Sequence, residues 1–314
     1  MPDFHRETIR KGGNKLADVQ RYSTFCERRE KYRRILEGLT LMSDILVRNV
    51  LKQAACAEYI LQVIMGDQTL RVLECVVQKD YKNLQGRSAV LDCVIRDTRG
   101  KLFDLEIQQE SEGASPRRTR YHSGLLDMNT LEAGQDFEEL PESCVIFITR
   151  DDALGYDLPI CHIQKQVCEK DAAFDDGAYV IYVNSRVQDD TELGRLMHDM
   201  HCSHAGEMYS EILAARMREL KETQEGVDAM CREMDALYQE GIALGEERGM
   251  KRGMERGMEC GMERGMERGM ERGKKEMVQS LFAMGIPLEK IAQAAKESVS
   301  CVRQWIAEGT AATK

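Results

Sequence analysis

The sequence predicts an α/β fold in which a central mixed sheet is flanked by helices, followed by a glycine-repeat helix or linker and a small all-α C-terminal unit. Short apolar runs bounded by turn residues, typical of strands, occur at 90–95, 143–149, 160–167 and 178–184. Segments with helical spacing of apolar residues precede and follow these runs. A four-residue glycine repeat covers 245–273.

These features divide the 314 residues into four parts. We expect a basic helical arm over 1–39, the α/β domain over 40–220, a helical repeat linker over 221–275 and a helix-turn-helix-like tail over 276–314. The first 40 residues contain ten Lys or Arg against six Asp or Glu, which suits either contact with a phosphate backbone or a solvated helix.

The composition is that of a soluble globular protein, with 42% apolar and 31% charged residues. No apolar run approaches the length of a membrane span and the N-terminus lacks the apolar stretch of a signal peptide, so we expect a cytoplasmic protein with no membrane partner. The eleven cysteines include no C-x-x-C pair and favour reduced core thiols over disulfides. The net charge of −10 argues against nucleic-acid binding over the whole surface and leaves that role to local basic patches.

The stretch 87–108 predicts a β-hairpin that carries acids on one face. Because side chains alternate along a strand, Asp104, Glu106 and Gln108 share one face. In a buried sheet, Asp92 of the other strand would then lie close to Glu106. Buried carboxylates are costly unless they are paired or bind a cation, and oxygen ligands suit magnesium or manganese. The alternative is that Asp92 and Glu106 are ordinary strand residues that face solvent.

Apolar residues at helical spacing predict a helix from Ser43, its N-terminal cap, to about Met65, where Gly66 ends it. Asp44 lies in the first turn of this helix. The positive end of a helix stabilises a carboxylate there, and the same carboxylate is a candidate metal ligand. The sequence leaves both roles open. A strand over 70–78 is expected to follow.

Basic residues gather directly after the hairpin. Pro116 suits the first turn of a helix, and Arg117 and Tyr121 lie one turn apart on it, so this helix could present a guanidinium and a phenol to a phosphate group. Arg118, Arg120 and Tyr121 are the candidate contacts to DNA phosphate. Surface cations without a ligand are the alternative.

A second group of candidate metal ligands lies in the segment LMHDMHCSHAGEM. It contains His198, His201, Cys202 and His204, and the first two are three residues apart, a spacing that can place both on one helix face. No second Cys or His group nearby completes a zinc tetrad. We therefore favour a helix end with incidental histidines over a zinc site.

Four segments resemble the PD-(D/E)XK nuclease family transposases, also called the recombination-promoting nuclease or YhgA-like group. They are LMSDILVRNVL at 41–51, NLQGRSAVLDCVIRDTRGKLFDLEIQ at 83–108, ASPRRTRYHSGLLD at 114–127 and ELPESCVIFIT at 139–149. The resemblance covers about 40–220, in order. It implies a restriction-endonuclease-like core for the α/β domain.

By that resemblance, Asp92 and Glu106 would be the metal-binding acids, Gln108 would occupy the position of the motif's lysine and Asp44 would be the acid from the preceding helix. Gln108 departs from the general motif because it carries no charge. Its amide can orient water or an ion, but it supplies no cation to a transition state. The subgroup that this chain resembles commonly has glutamine there.

The sequence therefore predicts a metal-dependent DNA endonuclease linked with transposition or recombination. Asp92 and Glu106 would hold Mg²⁺ or Mn²⁺, Gln108 would position water or the ion, and Asp44 would add an outer carboxylate. The alternative is a nuclease-fold DNA-binding or scaffold protein without catalysis, which the uncharged Gln108 and the acidic balance favour. No Ser/His/Asp order, phosphate-binding glycine loop or dinucleotide fingerprint occurs in the sequence.

The two C-terminal parts suggest partners of another kind. In 245–273 the unit is GMER, and on a helix its glycines trace a slow spiral rather than one fixed stripe. The repeat is either a tether between domains or a helix whose small residues let a second copy approach, giving weak homo-oligomers. The tail resembles a helix-turn-helix with Ser300, Arg303 and Gln304 as recognition residues; a structural helical hairpin is the alternative.

Overall fold

The computed structural model describes residues 27–81, 89–109 and 111–311. The helices are α1 (27–38), α2 (Asp44–Leu51), α3 (Ala54–Met65), α4 (Pro116–Met128), α5 (Glu192–His201), α6 (Glu211–Glu222), α7 (Gln224–Ala283), α8 (Leu288–Ala295) and α9 (Val299–Ala311). The strands are β1 (Val72–Tyr81), β2 (Ala89–Asp97), β3 (Leu102–Gln108), β4 (Ser143–Thr149), β5 (Ile160–Ile163), β6 (Gln166–Val167), β7 (Ala172–Ala173) and β8 (Ala178–Asn184). The chain divides into two compact units, Met1–Leu237 and Tyr238–Lys314.

Six strands form one mixed sheet in the order β1-β2-β3-β4-β8-β5. The first three strands are antiparallel, β3, β4 and β8 are parallel, and β5 runs antiparallel to β8. The α/β class with a central mixed sheet and flanking helices is thus confirmed. The predicted hairpin is β2 and β3, in which Val94 pairs with Asp104; residues 87 and 88 of the predicted stretch lie outside the described residues.

Two predicted elements each divide into two, and the strand expected over 70–78 is observed as β1, Val72–Tyr81. The helix expected from Ser43 to Met65 is two helices, because Gln53 has extended backbone (φ −91°, ψ 111°) that an α-helix cannot contain. Gly66 ends α3 with φ of 63°, as predicted for a glycine cap. The strand expected over 160–167 divides, because Ile160–Ile163 pairs with β8 whereas the next two strand residues pair with β7.

The sheet packs against a hydrophobic core on each face. On one face, residues of α1, α2, α3, α5, α6 and the start of α7 cover Cys93, Ile95 and Leu105. On the other face, Leu125 and Leu126 of α4 pack in a smaller core with strand residues. Because side chains alternate along β3, Asp104, Glu106 and Gln108 belong to the α4 face.

The described part of the predicted N-terminal arm is α1, which belongs to the first unit and packs in its core. Tyr32 and Leu36 are buried in the larger core. Arg28 forms an ion pair of 2.6 Å with Asp235 of α7. Residues 1–26 lie outside the described residues.

In the second unit, Val278, Ile291, Val302 and Trp305 form a separate small core that joins α8, α9 and the end of α7. Helical structure stops near Gly285 and near Ser298, as predicted from the sequence. The repeat 245–273 lies within α7, and its methionines are exposed. Among the described residues, we find no helix that combines the length and apolar character of a membrane span.

Candidate functional site

The candidate site lies where β2 and β3 part. Their backbone pairing ends at Cys93 and Leu105. Beyond that pair, side-chain carboxylates accept the backbone N–H groups in place of backbone carbonyl oxygens. The Asp92 N–H donates to Oε1 of Glu106 over 2.9 Å, and the Ile107 N–H donates to Oδ2 of Asp92 over 3.2 Å. The two acids therefore lie close together, as the alternation along the strands predicted.

Helix α4 places a guanidinium over these acids. Ser115 caps the helix by accepting the Arg118 N–H with its side chain. Residues four apart share a helix face, so Arg118 and His122 both face the sheet. Nη2 of Arg118 donates to Oε2 of Glu106 over 2.9 Å, and Nη1 donates to Oε1 of Gln108 over 3.3 Å.

His122 connects Arg118 to a third acid. Nε of Arg118 donates to Nε2 of His122 over 3.2 Å. A guanidinium N–H can only donate, so Nε2 is unprotonated and the ring proton is on Nδ1. Nδ1 lies 2.9 Å from Oδ2 of Asp104, to which it donates. His122 is thus held as one neutral tautomer, and burial lowers its pKa in the same sense.

The site contains more carboxyl groups than the Arg118 guanidinium could neutralise if all were ionised. Glu106 and Asp104 are fully buried and Asp92 is half-buried. Burial, followed by the charges of Asp104 and Asp92, raises the pKa of Glu106 to about 8. Burial, followed by the charge of Asp92, raises the pKa of Asp104 well above its usual value. Burial also raises the pKa of Asp92. The site would therefore release protons when it takes up a cation.

Asp104 has an oxygen atom without a donor. Its Oδ1 is buried and has no hydrogen-bond partner among the described residues. A side-chain hydrogen bond with Glu106 favours the charged form of Asp104, and two ionised carboxylates cannot form such a bond. A proton held by one of the two carboxyls, or a cation near both, satisfies this oxygen.

The donor set fits a hard divalent cation. Asp104, Glu106 and His122 each offer an atom within 4.8 Å of the others. Ligation through Nδ1 of His122 would move its proton to Nε2, against the N–H of Arg118, so the carboxylates are the better ligands. Asp92, Glu106 and Asp104 carry three charges when ionised, and Arg118 neutralises one. A divalent ion would neutralise the remaining two, and oxygen donors suit Mg²⁺ or Mn²⁺.

Asp44 lies at the open edge of this cluster. The side chain of Gln109 donates to the backbone oxygen of Met42 over 2.8 Å, which brings the start of α2 to the end of β3. The Asp44 side chain is 67% exposed. Its charge raises the pKa of Asp92, so the two carboxylates are electrostatically close. Its role as a ligand stays a prediction.

The three candidate phosphate contacts on α4 have different surroundings. Arg118 points inward and pairs with Glu106. Arg120 is exposed, and Tyr121 is 37% exposed. The last two line a surface cavity of about 200 Å³ together with Arg117. Their contact with DNA stays a prediction.

Comparison with known proteins adds no assignment. No family model, curated protein or solved structure matches the chain. The geometry of the cluster and the resemblance of the sequence motifs are the two observations that bear on function.

Two residues of the network did not stand out in the sequence as site residues. Asp104 shares a strand face with Glu106, and that alternation alone could have included it. His122 follows Arg118 by four residues and precedes the buried Leu125 by three, so helical spacing could have placed its polar ring on the inward face. The pairing of Asp104 with His122 joins β3 to α4, and no local pattern predicts it.

The α5 segment brings two of its candidate ligands, His198 and Cys202, together with Asp199, which the sequence did not single out. His198, Asp199 and Cys202 have atoms within 4.8 Å of one another. Both oxygens of Asp199 are already used, because Oδ1 accepts the Tyr209 N–H over 2.7 Å and Oδ2 accepts the Ser210 N–H over 2.8 Å. The carboxylate thus holds the chain that enters α6.

The other two histidines of that segment lie apart from this cluster. Nε2 of His201 is 2.8 Å from Oγ of Ser185, and His204 is exposed. The four residues therefore do not converge on one point, and their interpretation as incidental histidines at a helix end stays a prediction.

Proposed function

We propose that this chain is a metal-dependent DNA endonuclease of the PD-(D/E)XK transposase type, linked with recombination or transposition. One observation carries the proposal: where β2 and β3 part, the Glu106 carboxylate accepts the Asp92 N–H and the Asp92 carboxylate accepts the Ile107 N–H, inside a cluster that a divalent cation would neutralise. Such acids are expensive to bury without a ligand.

The order of elements supports a restriction-endonuclease-like core. Helices α2 and α3 precede the antiparallel β1, β2 and β3, and α4 then crosses to the parallel β4. This order and the acids at the end of the hairpin are what the resemblance implies. The sequence motifs that carry the resemblance lie on these same elements.

In the proposed reaction, Asp92 and Glu106 would hold Mg²⁺ or Mn²⁺, with Asp44 as an outer carboxylate. The ion, when bound, lowers the pKa of a water molecule and neutralises charge on the phosphodiester. The Gln108 amide would orient the water, whose oxygen forms the new bond to phosphorus. The phosphorus–oxygen bond opposite the water breaks. The water loses one proton to solvent, and the departing sugar oxygen takes up one proton.

Nicking of supercoiled DNA tests the proposal. The full chain should nick in Mg²⁺ or Mn²⁺ and not in EDTA, and Asp92→Asn or Glu106→Gln should reduce the rate by at least about a thousandfold. The matched control is Glu138→Gln, an exposed acid, which should retain the rate. Nicking that survives both substitutions would refute the assignment.

A nuclease-fold DNA-binding or scaffold protein without catalysis is the second candidate. The acids already have a structural use, because Glu106 and Asp92 bind backbone N–H groups and Arg118 pairs with Glu106. This candidate predicts DNA binding that does not depend on divalent ions and gives no cleavage product.

DNA contacts outside the cluster would come from basic surfaces, since the net charge is −10. We propose Arg120 and Tyr121 on α4 as phosphate contacts. The tail is a further candidate through Ser300, Arg303 and Gln304 of α9. The amide of Gln304 bonds Glu308 over 3.0 Å, which supports the structural-hairpin alternative for that residue.

We also propose weak self-association through the repeat 245–273. Each GMER unit carries one acid and one base, so the segment suits a second copy better than a strongly charged partner. The repeat methionines Met250, Met254 and Met258 are 66–75% exposed. Deletion of 245–273 should lower the number of chains per sedimenting particle; an unchanged number would refute this proposal.

A further inference from the structure

The proposed reaction needs a positive charge that β3 does not provide. Hydrolysis of a phosphodiester builds negative charge on the phosphate oxygens, and fixed cations stabilise it. Gln108, on the strand with the acids, is neutral. A cation that approaches the same place from another element would fill this need.

Arg118 of α4 occupies that place. Its Nη1 donates to the amide oxygen of Gln108 over 3.3 Å, and its Nη2 donates to Glu106 over 2.9 Å. The guanidinium therefore lies next to both residues that the E-x-Q motif places in the site. Its side chain is 36% exposed, so solvent, and hence a substrate, can reach part of it.

A count of N–H groups leaves one free for a ligand. A guanidinium has five N–H groups. Nε donates to His122, Nη1 donates to the Gly113 carbonyl oxygen over 2.8 Å and to Gln108, and Nη2 donates once to Glu106. The second N–H of Nη2 has no partner among the described residues. It lies beside the carboxylate proposed to hold the metal.

The remaining contacts fix the orientation of the guanidinium. The His122 ring is held by Asp104 through a 2.9 Å hydrogen bond, and the Arg118 guanidinium carbon lies 5.8 Å from the centre of the Phe147 ring. A cation oriented before the substrate binds need not reorganise during the reaction, which is what makes fixed charges effective.

We infer that Arg118 supplies the cation of the site by donating its free Nη2 N–H to an oxygen of the scissile phosphate, in place of the charge that Gln108 lacks. Asp104 and His122 are positioning residues that hold Arg118 for this contact. The inference rests on the proposed function and adds a catalytic residue to it.

The experiment removes the positive charge of Arg118 and then introduces a positive charge at position 108 of β3. The variants are Arg118→Met, Arg118→Lys and the double variant Gln108→Lys with Arg118→Met. Arg71→Met is the matched control, because Arg71 is an exposed arginine beside β1. Thermal melting checks that each variant folds. Two quantities are measured: kcat for plasmid nicking in Mg²⁺, and Kd for a short duplex in Ca²⁺.

Arg118→Met should lower kcat by about a hundredfold and weaken duplex binding by about tenfold, and Arg118→Lys should lie between it and wild type. The double variant should recover at least about tenfold in kcat over Arg118→Met, which a purely structural role would not give. A folded Arg118→Met protein with kcat within about twofold of wild type overturns the inference while leaving the endonuclease proposal intact.

If wild type does not nick at all, the endonuclease proposal fails and the binding data decide the inference separately. Affinity that Arg118→Met loses and the double variant regains supports the phosphate contact. Equal Kd values for wild type, Arg118→Met and Arg71→Met overturn it.

Discussion

In the described part of the chain, acids are buried beside histidines in two places, and their hydrogen-bond partners differ. In the α5 cluster of His198, Asp199 and Cys202, both oxygens of Asp199 accept backbone N–H groups at the start of α6. The β2–β3 cluster contains Asp92, Asp104, Glu106, Arg118 and His122. There, Asp104 keeps one oxygen without a donor among the described residues, and one guanidinium lies near three acids. Each cluster brings three residues that could bind a metal ion within reach of one another.

The difference separates a structural acid from one that is ready for a ligand. An acid whose two oxygens each accept a backbone N–H already has a structural role in the fold. Buried acids that raise one another's pKa, as Asp92 raises those of Asp104 and Glu106, are characteristic of functional sites. Proximity of ligand atoms alone does not distinguish the two clusters.

The largest expected effect is on stability, with opposite signs in the two clusters. Asp199→Ala should lower the free energy of unfolding by about 2 to 5 kcal/mol, because the buried Ser210 N–H and the partly buried Tyr209 N–H lose their acceptor. Asp104→Asn should raise that free energy by up to about 1 kcal/mol in the metal-free protein, because an amide can donate to Glu106. Urea denaturation at equal m-values measures both. Loss of stability in both variants would contradict the difference between the α5 and β2–β3 clusters.

The next effect is stabilisation by metal. With Mn²⁺ at about a hundred times its Kd, wild type should gain about 2.7 kcal/mol over the protein in EDTA. His198→Ala should keep this gain, and Glu106→Gln should lose it, because three acids of the β2–β3 cluster lie near one guanidinium, whereas each oxygen of Asp199 accepts a backbone N–H. Melting curves with and without Mn²⁺ provide the measurement. A gain that depends on His198 would move the metal to the α5 cluster.

A smaller effect is the pH dependence of the metal-free protein. The pKa of Glu106 is raised by burial from 4.5 to about 8, so the folded protein keeps a proton that the unfolded chain has released. Wild type should therefore lose stability relative to Glu106→Gln as pH rises from about 4.5 to about 8. Over the same window Mn²⁺ affinity should increase, because the ion replaces that proton. Denaturation across this range gives the difference, and a constant difference contradicts the assignment.

The smallest stability change is expected at Gly113. A Cβ there would overlap Oε1 of Gln108, the end of a flexible side chain that can swing away. Gly113→Ala should therefore change the unfolding free energy by less than about 1 kcal/mol but reduce nicking by about tenfold, by displacing the amide. Gly38→Ala is the control, because a Cβ at Gly38 meets nothing within 4 Å. Unchanged nicking in Gly113→Ala would remove Gln108 from the reaction.

The local elements were largely predictable. β4 and β8 have the bounds that their apolar runs indicated, α4 begins at Pro116, and the tail divides near Gly285. The break at Gln53 was missed because neither proline nor glycine marks it. The division of 160–167 was missed because it depends on which strand each half pairs with.

The sequence by itself determined the α/β class and placed Asp92 and Glu106 on facing strands, because both follow from the alternation of side chains over a few residues. Only the tertiary structure decided which acids are satisfied. Asp199 obtains its donors from the start of α6, whereas Asp104 depends on His122 of α4 and Glu106 on Arg118. These contacts join elements that are distant along the chain, and burial and charge are properties of the assembled fold.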